Sequence, residues 1–162
     1  MTKHQLKVET QGTDMVLTRE FDAPKEKVFE AYTDCKHLRN WWGPREWPVN
    51  ECEMDFRAGG RWHYCMKGPD GAEAWGLATF SEIKESDLIV YQDHFSDKDG
   101  NVNSSMPSAN IRNEFTEKDG VTVVTSTARY ASEKDLQQVK EMGMVAGIEE
   151  TLDRLEEYLA KW

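Results

Sequence analysis

The sequence lacks a long apolar run and an excess of positive charge. No stretch approaches the roughly 20 apolar residues that a membrane-spanning helix needs, and residues 1–14 contain no apolar segment of the kind found in signal peptides. We therefore expect a cytoplasmic protein without membrane contact. Its 20 lysines and arginines stand against 30 acidic residues, and the net charge is −10. Because such a charge repels phosphate backbones, we do not expect nucleic acid as a partner.

Cysteine is scarce as well, and its spacing matches no known site. Cys35, Cys52 and Cys65 are odd in number, lie far apart and form no C-x-x-C pair. This spacing predicts neither a disulfide framework nor a zinc site. We expect three small apolar side chains in a reducing compartment.

Recognisable catalytic motifs are also missing. The sequence has no nucleophile–base signature, no metal-ligand spacing and no phosphate-binding loop. Gly59 and Gly60 follow a strand pattern but open no helix, which is typical of a hairpin turn. We therefore predict a non-enzymatic protein with no catalytic residues, no metal site and no cofactor.

Tryptophan, in contrast, is abundant and concentrated in one segment. Trp41, Trp42 and Trp47 fall in the segment NWWGPREW. Their spacing fits one face of neither a helix nor a strand, and Gly43 and Pro44 interrupt the run. These side chains either cap the core or line the mouth of a pocket. The indole N–H group suits a partly hydrated rim, which favours a pocket.

The pattern along the chain predicts a single domain over residues 14–162, preceded by a flexible segment, residues 1–13. Residues 15–21 have strand character, and helical spacing follows in two short segments, residues 22–32 and 34–42. The next segments are rich in β-branched and aromatic residues and are separated by glycine-containing turns. This part of the sequence predicts an antiparallel meander of about six strands.

Strand alternation predicts which apolar side chains face the interior. Trp62, Tyr64 and Met66 share one face of their strand, and Met54 and Phe56 share one face of the preceding strand. We expect both sets to face the space between the sheet and the C-terminal helix.

Polar residues within the strands help to decide between two functions, a carrier that binds a small molecule and an enzyme. Asp93 shares a strand face with Tyr91 and Phe95, which indicates an inward-facing carboxyl group. His63 and His94 have polar neighbours, and we expect each to be an exposed or hydrogen-bonded strand histidine. An interior that pairs Asp93 with either histidine would favour an enzyme, whereas an entirely apolar interior would favour a carrier.

The C-terminal segment is helical, but its apolar residues change phase at one point. Apolar residues from 145 to 159 form one seam, whereas those from 136 to 142 fall on nearly the opposite side. One straight helix cannot bury both sets against a single sheet. We predict a break at Gly143, with residues 132–142 as a separate segment that can move as a gate. The alternative is a continuous helix that directs Gln137 and Glu141 into the interior as polar contacts.

Several segments together resemble one protein family. REFDAP, WWGP, AGGRW, GPDG and LDRLEEYL are similar to segments of the SRPBCC superfamily, in particular of the branch named for the activator of the heat-shock-protein-90 ATPase. The resemblance implies an α+β helix-grip fold, in which a curved antiparallel sheet surrounds a long C-terminal helix. It also implies two short helices after the first strand and a hydrophobic cavity between sheet and helix. Members often have a tryptophan where Ile148 follows Gly147 here, so the pocket lining differs.

The function that we expect is the binding of a small hydrophobic, aromatic or amphipathic molecule in this cavity by a monomeric protein. Two alternatives stay open, a chaperone-cofactor-like protein-interaction domain and an enzyme of the cyclase or hydrolase type. The predicted ligand-binding residues lie on the tryptophan-rich segment, the strands and the C-terminal region, and they are Trp41, Trp42, Met54, Phe56, Trp62, Tyr64, Met66, Trp75, Tyr91, Glu141, Val145, Ile148 and Leu152.

Overall fold

A computed structural model describes residues 4–162, and in this part of the chain eight strands form one curved antiparallel sheet. In chain order the elements are β1 (Lys7–Gln11), β2 (Asp14–Phe21), α1 (Lys25–Glu30), α2 (Cys35–Leu38), β3 (Val49–Met54), β4 (Arg61–Lys67), β5 (Glu73–Lys84), β6 (Leu88–Ser96), β7 (Ala109–Lys118), β8 (Val121–Tyr130), α3 (Glu133–Glu141) and α4 (Met144–Lys161). The strand order is β1-β2-β8-β7-β6-β5-β4-β3. This is the α+β helix-grip fold that the sequence predicts.

Strands β3 to β8 form the predicted six-strand meander, in which every neighbouring pair is antiparallel. Short turns can join such strands because antiparallel neighbours need no crossover. Gly120, between β7 and β8, has a φ of 80°, a conformation that glycine adopts without strain. A longer loop, residues 97–108, joins β6 to β7.

The structure differs from the expectation of a flexible segment over residues 1–13. Residues 7–11 form the edge strand β1, which pairs with β2. All of its side chains are exposed, so no buried apolar position marks it as a strand in the sequence. Its pairing depends on main-chain hydrogen bonds instead. Residues 1–3 lie outside the described part of the chain.

The C-terminal helix α4 packs on the sheet through apolar contacts and ion pairs. Leu155 and Leu159 of the predicted seam are buried. The Arg19 side chain of β2 is only 1% exposed and lies 2.9 Å from Asp153 and 3.3 Å from Glu156. Because an unpaired buried guanidinium is costly, these ion pairs couple the helix to the sheet. No helix in the described part of the chain is long and apolar enough to cross a membrane.

The predicted helix break at Gly143 is confirmed. α3 ends at Glu141 and α4 begins at Met144, and Gly143 between them has a φ of 85°. This left-handed conformation favours glycine. The Ser132 hydroxyl caps the start of α3 by accepting a hydrogen bond of 3.1 Å from the main-chain nitrogen of Asp135. The proposed movement of the α3 segment as a gate stays a prediction.

In the described part of the chain, two clusters of buried side chains form the interior. The larger, the aromatic cluster, lies against α1, α2 and the C-terminal half of α4, and its aromatic members are Phe21, Phe29, Trp41, Trp62, Tyr64, Phe80, Tyr91 and Phe115. The smaller, the second cluster, lies against α3 and the start of α4, and its members are Met15, Leu17, Ala109, Ala128, Tyr130, Leu136 and Val139. The two clusters therefore occupy different ends of the space beneath the helices.

The expectation of three unpaired cysteines is wrong for two of them. Cys35 of α2 and Cys52 of β3 form a disulfide, whereas Cys65 is a buried free thiol. The packing of α2 on β3 brings the two Cα atoms to 5.8 Å, although 17 positions separate them in sequence. Sequence spacing cannot show an approach that depends on tertiary packing. Because disulfides are typical of oxidising environments, cysteine usage no longer supports the expected cytoplasmic location.

Candidate functional site

The tryptophan-rich segment closes one end of the interior. Trp41 is completely buried, and its indole nitrogen donates a hydrogen bond of 3.0 Å to the main-chain oxygen of Ala31. Trp42 is half-buried, and its ring centroid lies 4.8 Å from that of Trp62 and 5.9 Å from that of Tyr64. Trp41 is therefore a core residue. Trp42 lies at the edge of the aromatic cluster, in contact with Trp62 and Tyr64.

A cavity of about 130 Å³ remains where the aromatic cluster meets the second cluster. Strands form most of its wall, and α3 and α4 cover it. The lining residues are Tyr64 and Met66 of β4, Ala74, Trp75 and Gly76 of β5, Asp93, His94 and Phe95 of β6, Pro107 of the preceding loop, Ala109 of β7, Tyr130 of β8, Val139 of α3 and Met144 of α4. The cavity is small because aromatic rings fill most of the interior.

Small residues on the sheet create the space around Asp93. Gly76 pairs with Tyr64 across the β4–β5 ladder, and a Cβ atom at Gly76 would collide with the Tyr64 ring. On the two strands next to β6, Ala78 and Ala109 pair with Asp93. Because Gly76 has no side chain, the Tyr64 ring can lie directly over β5. This position brings its hydroxyl group to the Asp93 carboxyl group.

Asp93 is the carboxylic acid of the cavity. Its predicted inward direction is confirmed, since it forms part of the cavity wall. Burial raises the pKa of its carboxyl group from 3.8 to about 7, and a hydrogen bond from the Tyr64 hydroxyl offsets only part of this rise. A pKa raised in this way shows that the cavity does not replace the lost hydration of the carboxylate. Both the neutral and the charged form are therefore populated near neutral pH.

Three tyrosine hydroxyl groups interact with Asp93. Burial raises the pKa of Tyr64 and of Tyr91 well above its usual value, and the negative charge of Asp93 adds to this rise. The same two causes raise the pKa of Tyr130 to about 12. These phenols keep their protons at neutral pH and can donate hydrogen bonds to a carboxylate or a ligand.

The histidines do not complete an inward acid–base pair with Asp93. The His63 ring stacks on Trp75 at a centroid distance of 4.9 Å, and its Nε2 lies 2.9 Å from the main-chain oxygen of Asp97. His94 borders the cavity, but its Nδ1 forms a hydrogen bond of 2.6 Å with the Ser108 hydroxyl. Because side chains alternate along β6, His94 and Asp93 point to opposite faces of the sheet.

The predicted ligand-binding residues occupy four kinds of position. Those that line the cavity are Tyr64, Met66 and Trp75. Those in the aromatic cluster or packed against it are Trp41, Trp42, Met54, Phe56, Trp62, Tyr91 and Leu152. Those packed against the second cluster are Val145 and Ile148. Glu141 is exposed and accepts a hydrogen bond of 3.3 Å from Gln137, so the structure does not bring it to the cavity.

The sequence pattern did not predict the cavity-lining residues of β7, β8, α3 and α4. Val139 and Met144 lie on either side of the helix break, and the phase change at Gly143 was the available signal for them. Tyr130 and Ala109 lie at the ends of strands. Alternation shows that such residues face inward, but it does not show where the interior is left unfilled.

One group of potential metal ligands lies outside the cavity. Among residues 4–162, the side-chain ligand atoms of Glu51, Cys65 and Glu73 lie within 4.8 Å of one another. Burial, followed by the charges of the two glutamates, raises the pKa of the Cys65 thiol. Metal binding needs the thiolate form, so this environment does not favour a metal site.

Comparisons with known proteins identify the family. The family model described as Activator of Hsp90 ATPase homolog 1-like protein matches residues 22–160. The structure of protein Ms6760 from Mycobacterium smegmatis is 33% identical, with a TM-score of 0.85 over 94% of this chain and 93% of that one. A protein from Arthrobacter aurescens is 28% identical, with a TM-score of 0.89 over 96% of this chain and 92% of that one. A comparison with curated proteins finds no match.

A third structure, from Staphylococcus epidermidis, is 32% identical, with a TM-score of 0.82 over 96% of this chain and 94% of that one. These similarities extend over nearly the whole chain, and they confirm the resemblance seen in its short motifs. Domains of this type generally bind ligands or act as cofactors rather than as catalysts. The chain belongs to the activator of Hsp90 ATPase homolog 1-like family.

Proposed function

We propose that this protein is a binding domain whose cavity holds a small amphipathic molecule. The observation that carries this proposal is the position of Asp93, a carboxylic acid in the wall of a cavity whose other lining is mostly apolar. A binding site of this kind uses its apolar wall for affinity and its few polar groups for orientation. Asp93 and the Tyr64 hydroxyl would bind the polar end of the ligand, and Met66, Phe95 and Met144 would contact its apolar part.

The volume of the cavity limits the size of the ligand. Sites for drug-sized molecules measure about 300–1,000 Å³, whereas this cavity measures about 130 Å³. A cavity of about 150 Å³ is large enough for benzene. We therefore expect a compound of similar size and not a long-chain lipid.

A protein-interaction role, as a chaperone cofactor, is less well supported by the surface. Docking faces usually present a continuous apolar patch. In the described part of the chain, the large exposed apolar residues are Val8, Val102, Met142 and Trp162. They are single residues on four separate segments. Single exposed apolar residues are normal on a protein surface and do not by themselves mark a docking face, so the protein-interaction role stays the alternative.

A second candidate function is proton transfer, and the chemistry of Asp93 favours it. A carboxyl group with a pKa of about 7 in an apolar cavity can act as a general base near neutral pH, and Tyr64 could stabilise a developing oxyanion. The test is deuterium exchange at the α-carbon of cyclohexanone. An acceleration that disappears in Asp93→Asn would support an enzyme, and equal rates in both proteins would leave binding as the function.

The binding proposal can be tested by titrating the protein with phenol, cyclohexanol and butylammonium while recording amide chemical shifts. We expect at least one compound to shift Gly76, Phe95 and Ala109. Ala109→Leu, which replaces a methyl group by an isobutyl group in the cavity wall, should abolish this binding. Ala160→Leu, at an exposed position of α4, is the matched control and should retain it.

The proposal would be wrong if none of the three compounds shifted the cavity residues. It would also be wrong if the shifts were unchanged in Ala109→Leu, because the compounds would then bind elsewhere.

A further inference from the structure

We propose that the ligand of this cavity is a small organic cation, an alkylammonium ion, whose charged group pairs with the Asp93 carboxylate. This inference rests on the proposed binding function and specifies the class of ligand. The alkyl part of the ion would contact Met66, Phe95 and Met144, which lie in the same cavity wall.

The charges around the cavity favour a positive ligand. Among the described residues that line it, Asp93 is the acid and none is lysine or arginine. The other ionisable groups near Asp93 are Tyr64 of β4, Tyr91 and His94 of β6, and Tyr130 of β8. Among the lining residues that the structure describes, those of β5, β7, α3 and α4 carry no charged side chain. Within residues 4–162, the carboxylate therefore has no lysine or arginine partner in the cavity wall.

Aromatic rings strengthen this preference for a cation. Tyr64, Phe95 and Tyr130 line the same cavity as Asp93, and the faces of such rings attract positive charge. An anion would instead meet a carboxylate of its own charge. The net charge of −10 on the whole chain also raises the local concentration of cations and lowers that of anions.

The buried carboxyl group itself lacks what an ammonium ion would supply. Burial raises the pKa of Asp93 to about 7 because no neighbouring charge compensates for the lost hydration. An ammonium ion bound beside it would provide that compensation together with charge-assisted hydrogen bonds. Asp93 nevertheless keeps part of its surface exposed and borders the cavity, so a small ion can reach it from the cavity without unfolding of the sheet.

The test compares three compounds with the same butyl chain and different polar ends: butylammonium, 1-butanol and pentanoate. Dissociation constants are measured by amide chemical shifts at pH 8 in the wild type and in Asp93→Asn. In the wild type, we expect butylammonium to bind at least about tenfold more tightly than 1-butanol, and pentanoate to bind most weakly. In Asp93→Asn, the difference between butylammonium and 1-butanol should become much smaller, because only the aromatic rings and the net charge would still favour the cation.

Each outcome separates this inference from the proposed function. If 1-butanol bound in the cavity as tightly as butylammonium, the binding function would stand and the cationic ligand would be wrong. If none of the three compounds shifted the cavity residues, both would be wrong. An equally large preference for butylammonium in Asp93→Asn would also overturn the inference, because the charge preference would then arise elsewhere.

The pH dependence gives a second readout. Below a pKa of about 7, protonation of Asp93 removes its charge, so the affinity for butylammonium should fall roughly tenfold for each pH unit. The affinity for 1-butanol should not follow this dependence, and Asp93→Asn should remove it for butylammonium. That variant also separates Asp93 from the neighbouring His94. Equal butylammonium affinities of the wild type at pH 5 and pH 8 would contradict the proposal.

Discussion

The two ends of the space between the sheet and α4 are packed in different ways. At one end, the rings of Trp41, Trp42 and Trp62 contact one another, with successive centroids 5.4 and 4.8 Å apart, and fill the interior. At the other end, Gly76 and Ala109 stand on the sheet instead of rings, and a cavity of about 130 Å³ remains beneath α3 and the start of α4.

This contrast separates residues that stabilise the fold from residues that are available for binding. Aromatic rings in edge-to-face contact bury large apolar areas, so the filled end contributes strongly to stability. At the open end, the Asp93 carboxyl group loses hydration, and none of the described lining residues is a lysine or arginine that could pair with it, which costs stability. Costly groups of this kind are typical of functional sites. The fold therefore places its candidate function where its packing is weakest.

The largest expected effect comes from truncating the filled end. Trp41→Ala should lower the free energy of unfolding by about 3–5 kcal/mol, because it empties a fully buried site and removes the partner of the Ala31 carbonyl. Met144→Ala at the open end should cost clearly less, since Met144 is half-buried and already borders a cavity. Urea unfolding followed by circular dichroism measures both. Equal losses would contradict the difference between the two ends.

An intermediate effect is expected from the carboxyl group at the open end. The pKa of Asp93 is higher in the folded protein, about 7, than its ordinary value of 3.8. Between these pH values the folded state binds more protons than the unfolded state, so the stability of the wild type falls as the pH rises. Full burial would make this loss about 4 kcal/mol, and we expect about 2 kcal/mol because Asp93 is partly exposed.

Asp93→Asn isolates this contribution. The variant should be more stable than the wild type at pH 8 by about 2 kcal/mol beyond any difference at pH 4, because its amide stays neutral across this range. Urea unfolding of both proteins at the two pH values provides the measurement. A difference between the proteins that did not change with pH would show that Asp93 is well solvated or paired in the folded state.

The fold was predictable because its signals are local in sequence. Alternating apolar residues and glycine-containing turns predict the strands β3 to β8, and the apolar seam from 145 to 159 predicts α4. The phase change at Gly143 even predicts the helix break. The edge strand β1 was not predictable, since its side chains are all exposed and it joins the sheet through its main-chain pairing with β2.

The candidate site was predictable only in part, because the cavity lies where the packed side chains leave space unfilled. Alternation showed that Asp93 faces inward, but the same alternation made Trp62 and Phe56 equal candidates, and both are packed in the aromatic cluster. Similarly, the Cys35–Cys52 disulfide arises from the contact of α2 with β3, which no local pattern specifies. Periodicity shows which residues face inward, but it does not show which of them contact one another in the folded protein.

The smallest effect concerns the backbone at the open end, where two glycines lie four positions apart. At Gly143 an added Cβ meets no atom within 4 Å, but φ is 85°, so Gly143→Ala should destabilise the protein by about 1 kcal/mol through backbone strain alone. Gly147 lies inside α4, and its Cβ would stand 3.4 Å from Pro44 Cγ. Gly147→Ala should therefore stabilise the protein by roughly 0.5 kcal/mol through its helix propensity.

These opposite signs make the two variants controls for each other, because they add the same methyl group within one turn of the chain. Thermal unfolding of both variants beside the wild type gives the comparison. If both stabilised the protein, the two helices would be continuous in solution. The α3 segment would then be fixed to α4, and it could not act as a separate gate over the cavity.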